Sequence, residues 1–475
     1  MKYSNLLVPL LLVCAAASQF AQGAPGQDAP LNERAARPTT EAVERGVVYQ
    51  INLRAFTPEG TLNAAQEKLA SLAELGATIV YLCPIALSDD DMRQEFWSPR
   101  QKRSGMNNPR NPYRIKDYYA VDPEYGTDAD LQAFVDAAHA LEMKVLLDMV
   151  YLHCGPGAVF IEKRPHFVKR GASGEIVNEA WSFPGLNFES GELREYLWTN
   201  MAYWVCRFGV DGYRLDVGDG IPLDFWVEAR RRLDAIRPGI VLLSEGVRAE
   251  DQLDAMDLDF GFPFYGAFRS VLTDKKPASE FAKTCQAVAA ARPQGARFVR
   301  YSDNHDIAND DYETRREIVW GDAANRAVFV ANFTLDGTPM LYNGQEIADA
   351  SRHSIFGNLP IDWSRAESDA ARERFAFLQN LIALRRAQPA LTAGPASWLE
   401  PTAPEKTIAY LRGGADETIY CVVNLSAEPT EERYALPEEY CAAEVLLTEG
   451  LVDVDDESIR AELPPFGYAV VKLIK

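Results

Sequence analysis

The chain has 475 residues, 47% of them apolar, so it is long enough to bury a large core and to form a smaller second domain. Asp and Glu number 69 against 48 Lys and Arg, which gives a formal net charge of -21. Because binding to a phosphate backbone needs a basic face, this balance argues against nucleic acid as a partner.

The N-terminal residues have the pattern of a secretory signal peptide. An apolar run over residues 6–17 follows Lys2, and Ala21-Gln-Gly-Ala24 supplies small residues at the spacing of a cleavage site. We therefore predict a signal peptide over residues 1–23 and a mature protein that is secreted or periplasmic. Residues 24–45 are rich in Ala, Pro, Glu and Arg and predict a flexible linker. No other stretch resembles a transmembrane segment.

Eight short apolar segments, separated by stretches with helical spacing, predict the main domain. They are residues 47–53, 78–84, 144–150, the segment that ends at Asp216, 240–245, 258–260, 297–301 and 338–342. Strands that alternate with helices form parallel sheets, so we predict a closed (β/α)8 TIM barrel over residues 46–390. Residues 154–190 interrupt the rhythm after the third strand and predict a small inserted subdomain over the barrel mouth.

After Pro389 the apolar residues recur with a period of two, as in residues 407–411, 418–424 and 468–473. This period is typical of antiparallel strands, so residues 391–475 predict a C-terminal β-sandwich domain. Cys421 and Cys441 in this region are a candidate disulfide. The sequence contains no Cys/His spacing that indicates a zinc site.

Charged and polar residues stand where the predicted barrel strands end, and TIM barrels carry catalysis at that face. Arg214 and Asp216 lie two apart, on one face of one strand. Burying both charges is costly unless they act together, so we interpret Asp216 as a nucleophilic carboxylate beside a guanidinium; a structural ion pair is the alternative. Other strand ends supply Asp148, His153, Glu245 and the run Asn304-His-Asp306.

The motifs together resemble the α-amylase family of glycoside hydrolases (family 13), nearest to its α-amylase and neopullulanase-like branches. They occur in the family's order and are Asp148-Met-Val-Tyr-Leu-His153, Gly212-Tyr-Arg-Leu-Asp216, Ser244-Glu-Gly246, Ser302-Asp-Asn-His-Asp306, Gly337-Thr-Pro-Met-Leu-Tyr-Asn-Gly-Gln-Glu346 and Leu463-Pro-Pro-Phe-Gly-Tyr468.

The resemblance implies a retaining hydrolase that cleaves α-1,4-glucosidic bonds in α-glucans or malto-oligosaccharides through a covalent glycosyl-enzyme. Its two carboxyl groups flank the bond about 5–5.5 Å apart. Asp216 would be the nucleophile, oriented by Arg214, and Glu245 the general acid and base. Asp306 would bind sugar hydroxyls. The same ring would accept hydrogen bonds from His153 and His305 and stack on Tyr113. Candidate sugar platforms, which are equally candidate packing residues, are Trp97 and Trp181.

The sequence departs from the family at Leu152, where the usual residue is a calcium-binding Asn. Leucine offers no oxygen to a hard cation, so no calcium is expected there and no cofactor is required; calcium elsewhere stays undecided. Two alternatives remain. An α-glucan transglycosidase would use the same carboxylates, and a binding or scaffold barrel without catalysis is disfavoured because all three acids are present. The sequence does not indicate an oligomeric state.

Overall fold

The computed structural model describes residues 29–310, 315–392, 394–413, 417–437, 439–455 and 457–474, and the predicted signal peptide lies outside them. The strands are β1 Val48–Ile51, β2 Ile79–Leu82, β3 Ala86–Ser88, β4 Ile115–Val121, β5 Lys144–Met149, β6 Gly212–Leu215, β7 Val241–Ser244, β8 Leu258–Phe260, β9 Phe298–Arg300, β10 Thr338–Tyr342, β11 Ala396–Leu399, β12 Thr407–Gly413, β13 Thr418–Asn424, β14 Thr430–Ala435, β15 Ala442–Glu449, β16 Leu451–Val454, β17 Ser458–Leu463 and β18 Tyr468–Ile474.

The α-helices lie mostly between the barrel strands. They are α1 Glu41–Arg45, α2 Leu53–Phe56, α3 Leu62–Gln66, α4 Leu69–Leu75, α5 Pro99–Arg103, α6 Asp128–Ala140, α7 Gly191–Phe208, α8 Leu223–Ile236, α9 Asp251–Asp254, α10 Phe262–Leu272, α11 Ser279–Ala290, α12 His305–Asp310, α13 Arg316–Val319, α14 Gly321–Thr334 and α15 Asp369–Ala387. Among these described helices, none combines the length and hydropathy that a bilayer-spanning helix requires.

Eight parallel strands close into a barrel in the order β1-β10-β9-β8-β7-β6-β5-β2, which confirms the predicted TIM barrel. Every predicted barrel segment contains one of these strands. The barrel interior is filled by a separate apolar cluster that includes Val48, Tyr81, Leu146, Phe260 and Met340. Since parallel strands all end at one rim, the residues after β5, β6, β7 and β9 meet there.

Residues 29–45, the described part of the stretch over residues 24–45 that composition predicted to be a flexible linker, contact the barrel; residues 24–28 lie outside the described residues. Ala35 forms a β-bridge with Gln294, and the Arg37 guanidinium pairs with the buried Asp257 carboxylate. Val43 of α1 is fully buried in the barrel-interior cluster, and its carbonyl accepts a hydrogen bond from Thr338 Oγ1 (2.6 Å). Composition predicted flexibility because the anchoring contacts are to residues more than 200 positions away.

The C-terminal residues form two antiparallel sheets, as the period of two predicted. One sheet has the strand order β11-β12-β13-β18-β15 and the other β14-β17-β16. On β13, Tyr420 and Val422 share an apolar cluster with Ile459 and Leu463 of the second sheet. The alternate residues of β13, which include Cys421, belong to the main core instead. The central strands of the larger sheet, β12, β13 and β18, are therefore buried on both faces, between the smaller sheet and the main core.

The disulfide considered between Cys421 and Cys441 is absent: both residues are free thiols among the described residues. Cys421 points into the main core, whereas Cys441 is exposed ahead of β15. Alternation along the strand thus places the buried thiol on the face that packs against the barrel, where it behaves as a small apolar side chain.

Residues 154–190 lie between β5 and α7, and none of the β-strands given above falls within them. Isolated bridges His153–Gly185 and Val168–Leu186 hold the stretch together. Its aromatic side chains Phe160 and Phe167 pack on each other and on Tyr196 of α7, with ring centroids 5.4–5.6 Å apart. That these residues form a distinct subdomain stays a prediction; the structure shows a loop fastened to α7 and to the barrel mouth.

Replacing Val43 by Ala tests whether the N-terminal segment closes the barrel base. Loss of two buried methyl groups should lower the free energy of unfolding by about 2 kcal/mol in urea denaturation. Val227→Ala, on an exposed position of α8, is the matched control and should change it by less than about 0.5 kcal/mol. Equal effects of the two substitutions would contradict the packing described for α1.

Candidate active site

Arg214 of β6 lies at the centre of a cluster of three carboxyl groups. Its Nη1 donates to Asp148 Oδ1 (2.7 Å) and to Asp216 Oδ1 (2.8 Å), and its Nη2 lies 2.7 Å from Glu245 Oε2. The guanidinium is 1% exposed. The carboxyl groups come from the ends of β5, β6 and β7, which are neighbours in the barrel, so strand order alone brings them together.

The backbone fixes Asp216 and Glu245 relative to each other. Gly218 N–H donates to the Glu245 carbonyl, and Val217 N–H donates to Glu245 Oε2. The donor–acceptor distance is 2.9 Å in both hydrogen bonds. Val217 has a φ of 45°, in the left-handed region that β-branched residues rarely adopt. A Cβ on Gly218 would lie 2.4 Å from Ser244 Oγ, so only glycine fits this turn. The strained turn therefore holds the two acids close together.

Burial raises the pKa of Glu245 to about 7; the charge of Arg214 opposes this shift and that of Asp306 reinforces it. Burial also raises the pKa of Asp216 above its usual range. The charge of Arg214 lowers this pKa, and the neighbouring Glu245 carboxyl group raises it further. Two carboxyl groups that repel each other across one guanidinium titrate as a pair. Near neutral pH such a pair readily retains one proton.

Each of the two acids keeps one carboxyl oxygen outside the Arg214 contacts. Asp216 Oδ2 lies 4.0 Å from His153 Nε2. Glu245 Oε1 makes no hydrogen bond or ion pair within the described part of the chain. Both residues line the same cavity of about 120 Å³. The arrangement thus offers one oxygen for attack and another for proton transfer to a single bound group.

His305 belongs to a hydrogen-bonded chain that ends at Asp148. Gln50 Nε2 donates to His305 Nδ1 (2.7 Å). The proton of the His305 ring is therefore on its Nε2 atom, which donates to the Tyr113 hydroxyl (2.7 Å). That hydroxyl donates to Asp148 Oδ2 (3.0 Å). Burial lowers the pKa of His305, in keeping with a neutral ring.

This series of hydrogen bonds differs from the expectation that His305 donates directly to a sugar, because the Nε2 proton of His305 is already donated to the Tyr113 hydroxyl. The two rings stack with an interplanar angle of 10° and a centroid distance of 5.5 Å. Both residues line the cavity. His305 therefore fixes the orientation of the Tyr113 ring.

Asp306 lies across the cavity from the Arg214 cluster, at the start of α12. Its Oδ1 pairs with the Arg100 guanidinium, and its Oδ2 lies 3.6 Å from His305 Nε2. Burial alone would raise the pKa of Asp306, but the interactions with His305, Arg100 and Arg214 outweigh burial and lower the pKa to about 2. Asp306 is thus an anion whenever the protein is near neutral pH.

His153 forms another wall of the cavity. Burial lowers its pKa to about 3, so the ring is neutral, and its Nδ1 is buried without a hydrogen-bond partner among the described residues. Phe183 and Trp181 pack edge-on against it at centroid distances of 4.8 and 5.5 Å. Trp181 is 41% exposed and lines the cavity, whereas Trp97 is 3% exposed and donates to the Asp91 carbonyl. Of the two candidate platforms, Trp97 is a packing residue.

Leu152, the residue just before His153, packs against the main core. A Cβ on Gly220 would lie 3.3 Å from Leu152 Cδ1, so methyl groups rather than oxygen atoms face this turn. The side chain at this position does not fit calcium. The described residues contain no group of three or more His, Cys, Asp or Glu side chains placed to hold a metal.

Six predicted site residues line one cavity, namely Tyr113, His153, Asp216, Glu245, His305 and Asp306, and the seventh, Arg214, contacts Asp216 and Glu245 from outside the cavity lining. The structure also adds residues that the sequence did not point to. Gln50 is a polar residue within an otherwise apolar strand, which was a usable signal. Arg100 gave no signal, since it stands in the short helix α5, 206 positions from its partner Asp306. Asp148 was noted at a strand end, but its role as a partner of Arg214 required the barrel order to be known.

Comparison with known proteins gives two matches to protein families. The model of the alpha amylase catalytic domain matches residues 18–170 and 176–370. The model of the maltogenic amylase C-terminal domain matches residues 397–470. The two matches divide the chain where the barrel gives way to the antiparallel sheets.

A cyclomaltodextrinase from a Bacillus species is 28% identical over 77% of this chain and 65% of its own length, so the chain spans about two thirds of that relative. An alpha-amylase structure from Lactobacillus plantarum has a TM-score of 0.76 at 26% identity, over 90% of this chain and 99% of that one. A noncanonic maltogenic alpha-amylase from Thermotoga neapolitana has the same fold, with a TM-score of 0.77 at 24% identity over 91% and 99% of the two chains.

Replacing Glu245 by Gln should stabilise the protein at high pH. The folded-state pKa of Glu245 is raised from 4.5 to about 7, so its contribution to stability is fully present below pH 4.5 and is lost as pH rises through 7. Because Gln cannot ionise, we expect the free energy of unfolding at pH 8 to exceed that of the wild type by about 2 kcal/mol. At pH 4 the two proteins should be equal.

The control for this measurement is Glu59→Gln, which removes an exposed carboxylate. Its effect on urea unfolding should stay within about 0.5 kcal/mol at both pH values. A Glu245→Gln effect that is the same at pH 4 and pH 8 would show that the Glu245 carboxyl group does not bear the burial cost described above.

Proposed function

This chain belongs to the α-amylase family of glycoside hydrolases, and from that premise we propose that it is a retaining hydrolase of α-1,4-glucosidic bonds in α-glucans or malto-oligosaccharides. One observation carries the proposal. Asp216 and Glu245 are held by the two amino groups of a single buried guanidinium, and each keeps one oxygen for the same cavity. Retention at an anomeric carbon requires such a pair, with one group to attack and the other to transfer a proton.

In the first step, Glu245 donates its proton to the glycosidic oxygen while Asp216 Oδ2 attacks the anomeric carbon. The bond between that carbon and the leaving oxygen breaks, the leaving sugar departs with the proton, and a glycosyl ester forms on Asp216. The raised pKa of Glu245 supports this role, because it keeps a proton available near neutral pH. Arg214 holds the other oxygen of Asp216 and so fixes the direction of attack.

In the second step the Glu245 carboxylate takes a proton from water, and that water attacks the anomeric carbon from the face that the leaving group occupied. Asp216 is released as a carboxylate, so the configuration is retained overall. Electrostatics explains why Glu245 changes from general acid in the first step to general base in the second. Glu245 and Asp216 repel each other as carboxylates, which is part of why the pKa of Asp216 is raised. Once Asp216 is esterified this repulsion is gone, and the pKa of Glu245 falls because Arg214 acts on it unopposed by Asp216.

Asp306 and His153 would bind the sugar that undergoes reaction. Asp306 is an anion near neutral pH and can accept hydrogen bonds from hydroxyl groups while stabilising positive charge at the anomeric carbon. The neutral His153 ring presents Nε2 to the cavity side, beside Asp216 Oδ2. Tyr113, oriented by His305, would lie against the ring, and the exposed Trp181 would contact the sugar beyond it.

The substrate class rests on the relatives. They include a cyclomaltodextrinase from a Bacillus species and a maltogenic alpha-amylase from Bacillus acidopullulyticus, and both names support α-glucans as substrates. The signal-peptide pattern supports a location outside the cytoplasm. No cofactor enters either step. Calcium binding is not proposed, since Leu152 does not fit it.

A time course on maltodextrin, cyclodextrin, pullulan, trehalose and sucrose tests the proposal, with products resolved by length and the first-formed anomer followed by proton NMR. We expect maltodextrin to yield short sugars that appear first as α-anomers. Asp216→Asn is the matched control and should lower turnover by about 10⁴-fold while the far-UV circular dichroism stays unchanged.

Each other outcome has a distinct meaning. First-formed β-anomers would overturn retention, and near-normal activity of Asp216→Asn would overturn the nucleophile assignment. Chains longer than the input at high substrate concentration would favour the transglycosidase, which uses the same carboxylates. If no substrate is consumed, the proposed activity is wrong.

A further inference from the structure

A second cavity, of about 390 Å³, lies at the opposite end of the barrel from the catalytic residues. Arg297 and Gly337 line it and directly precede β9 and β10, and all the parallel strands begin at the face away from the catalytic rim. Another wall comes from Trp398 of β11. The cavity therefore lies where the barrel meets the C-terminal sheets, and its lining shares no residue with that of the catalytic cavity.

Part of this wall is apolar. The apolar side chains come from α10, α11, β9 and β11, and include Phe264, Val288, Phe298 and Trp398. Two of these rings lie against arginines that also line the cavity. The guanidinium carbon of Arg300 is 4.0 Å from the Phe264 centroid, and that of Arg292 is 5.2 Å from the Phe298 centroid. The cavity thus offers apolar surface directly beside cationic groups.

Arginine dominates the charged part of the wall. The charged lining residues are three arginines, Arg292, Arg297 and Arg300, and one acid, Asp336. Such a cluster contrasts with the formal net charge of -21 of the whole chain. Arg292 and Arg297 each pair with a carboxylate outside the lining, over 2.8 Å. Arg300 pairs with Asp336, since its Nη2 donates to Oδ1 (2.8 Å).

Arg385 adds positive charge behind the wall. It is 1% exposed, and its Nη atoms donate to four backbone carbonyl oxygens, one of them that of the lining residue Gly337. No carboxylate of the described residues forms an ion pair with it. Burial and the charges of Arg412 and Arg300 lower the pKa of Arg385 to about 9. Because a buried cation without a counter-charge is costly, an anion in the adjacent cavity would stabilise this region.

Arg300 supplies a donor that could hold such an anion. Its side chain is 2% exposed, and its Nε and Nη2 both donate to Asp336. Its Nη1 is buried and has no oxygen or nitrogen acceptor among the described residues. The thiol of Cys285, which is only a weak acceptor, lies beside the guanidinium and lines the same cavity. A carboxylate oxygen in place of the thiol would satisfy this donor much better.

The two properties of the wall together indicate the class of ligand. The excess of guanidinium groups favours an anion, and the apolar surface favours a ligand with an apolar body over an inorganic ion. We propose that this cavity binds an amphipathic carboxylate, whose charged group pairs with Arg300 and whose apolar part packs against Val288 and Trp398. The inference goes beyond the proposed glycosidase activity and does not depend on it, because no catalytic residue takes part.

The test is isothermal titration calorimetry of the purified protein at pH 7, with 3-phenylpropionate as the probe. Its amide, 3-phenylpropanamide, has the same shape without the charge, and sodium sulfate has the charge without the apolar body. The proteins are the wild type, Arg300→Gln, Ala289→Phe and Ala290→Phe. Ala289 lines the cavity from α11, whereas its neighbour Ala290 is equally exposed and is not among the lining residues, so Ala290→Phe is the matched control.

We expect the wild type to bind 3-phenylpropionate at least about 10-fold more tightly than the amide, the range for a hydrogen bond between charged partners. Arg300→Gln should reduce this preference to less than about 3-fold, because glutamine keeps a donor without the charge. Ala289→Phe should weaken binding of the acid by about 10-fold or more, since the added ring occupies the cavity. Ala290→Phe should stay within about 2-fold of the wild type.

Several results would overturn the inference. If the wild type does not bind 3-phenylpropionate, or binds acid and amide equally well, the cavity does not recognise a carboxylate. Sulfate that binds as tightly as the acid would show a site for inorganic ions instead. An affinity unchanged in Ala289→Phe would place the ligand elsewhere on the protein. If Arg300→Gln is poorly folded, the comparison of acid with amide on the wild type, Ala289→Phe and Ala290→Phe still decides the question.

Discussion

A single buried guanidinium, that of Arg214, holds the carboxyl groups of Asp148, Asp216 and Glu245 at the ends of three neighbouring strands. Burying an arginine is costly unless its charge is compensated, and burying three acids is costly unless they share a cation or a proton. The cluster meets both conditions. The same balance raises the pKa of Glu245 to about 7 and the pKa of Asp216 above its usual range, so the two acids titrate as a pair. The requirement to bury these groups thus produces the acid–base chemistry that we propose.

The rest of the fold keeps this cluster in place. Barrel closure sets β5, β6 and β7 side by side, and the strained turn at Val217 ties two of the acids together through the backbone. At the other end of the barrel, Val43 from the N-terminal segment completes the interior packing. The C-terminal sheets cover helices on the outside; Thr334 of α14 and Tyr410 of β12 share a hydrogen bond of 2.6 Å. Among the described residues, neither the N-terminal segment nor the C-terminal sheets line the cavity.

Sequence reasoning predicted the barrel because its strands are short apolar segments with regular spacing, and it predicted Asp216, Glu245 and Asp306 because each follows such a segment. It failed where contacts join distant positions. The Arg100 contact with Asp306 and the anchoring of the N-terminal segment to Asp257 depend on tertiary structure alone. Trp97 and Trp181 look alike in sequence, yet only the structure separates the buried ring from the exposed one. Local patterns carry no information on such pairings.

The proposed mechanism depends most on Asp216 as the group that bonds to the sugar, and mass spectrometry of a trapped intermediate tests this directly. The protein is incubated with 5-fluoro-α-D-glucosyl fluoride, digested at low pH, and searched for the peptide that carries the added glycosyl group. We predict one labelled peptide, with the sugar esterified to Asp216, and no label on Asp216→Asn. A label on Glu245 or Asp306, with Asp216 unmodified, would contradict the mechanism.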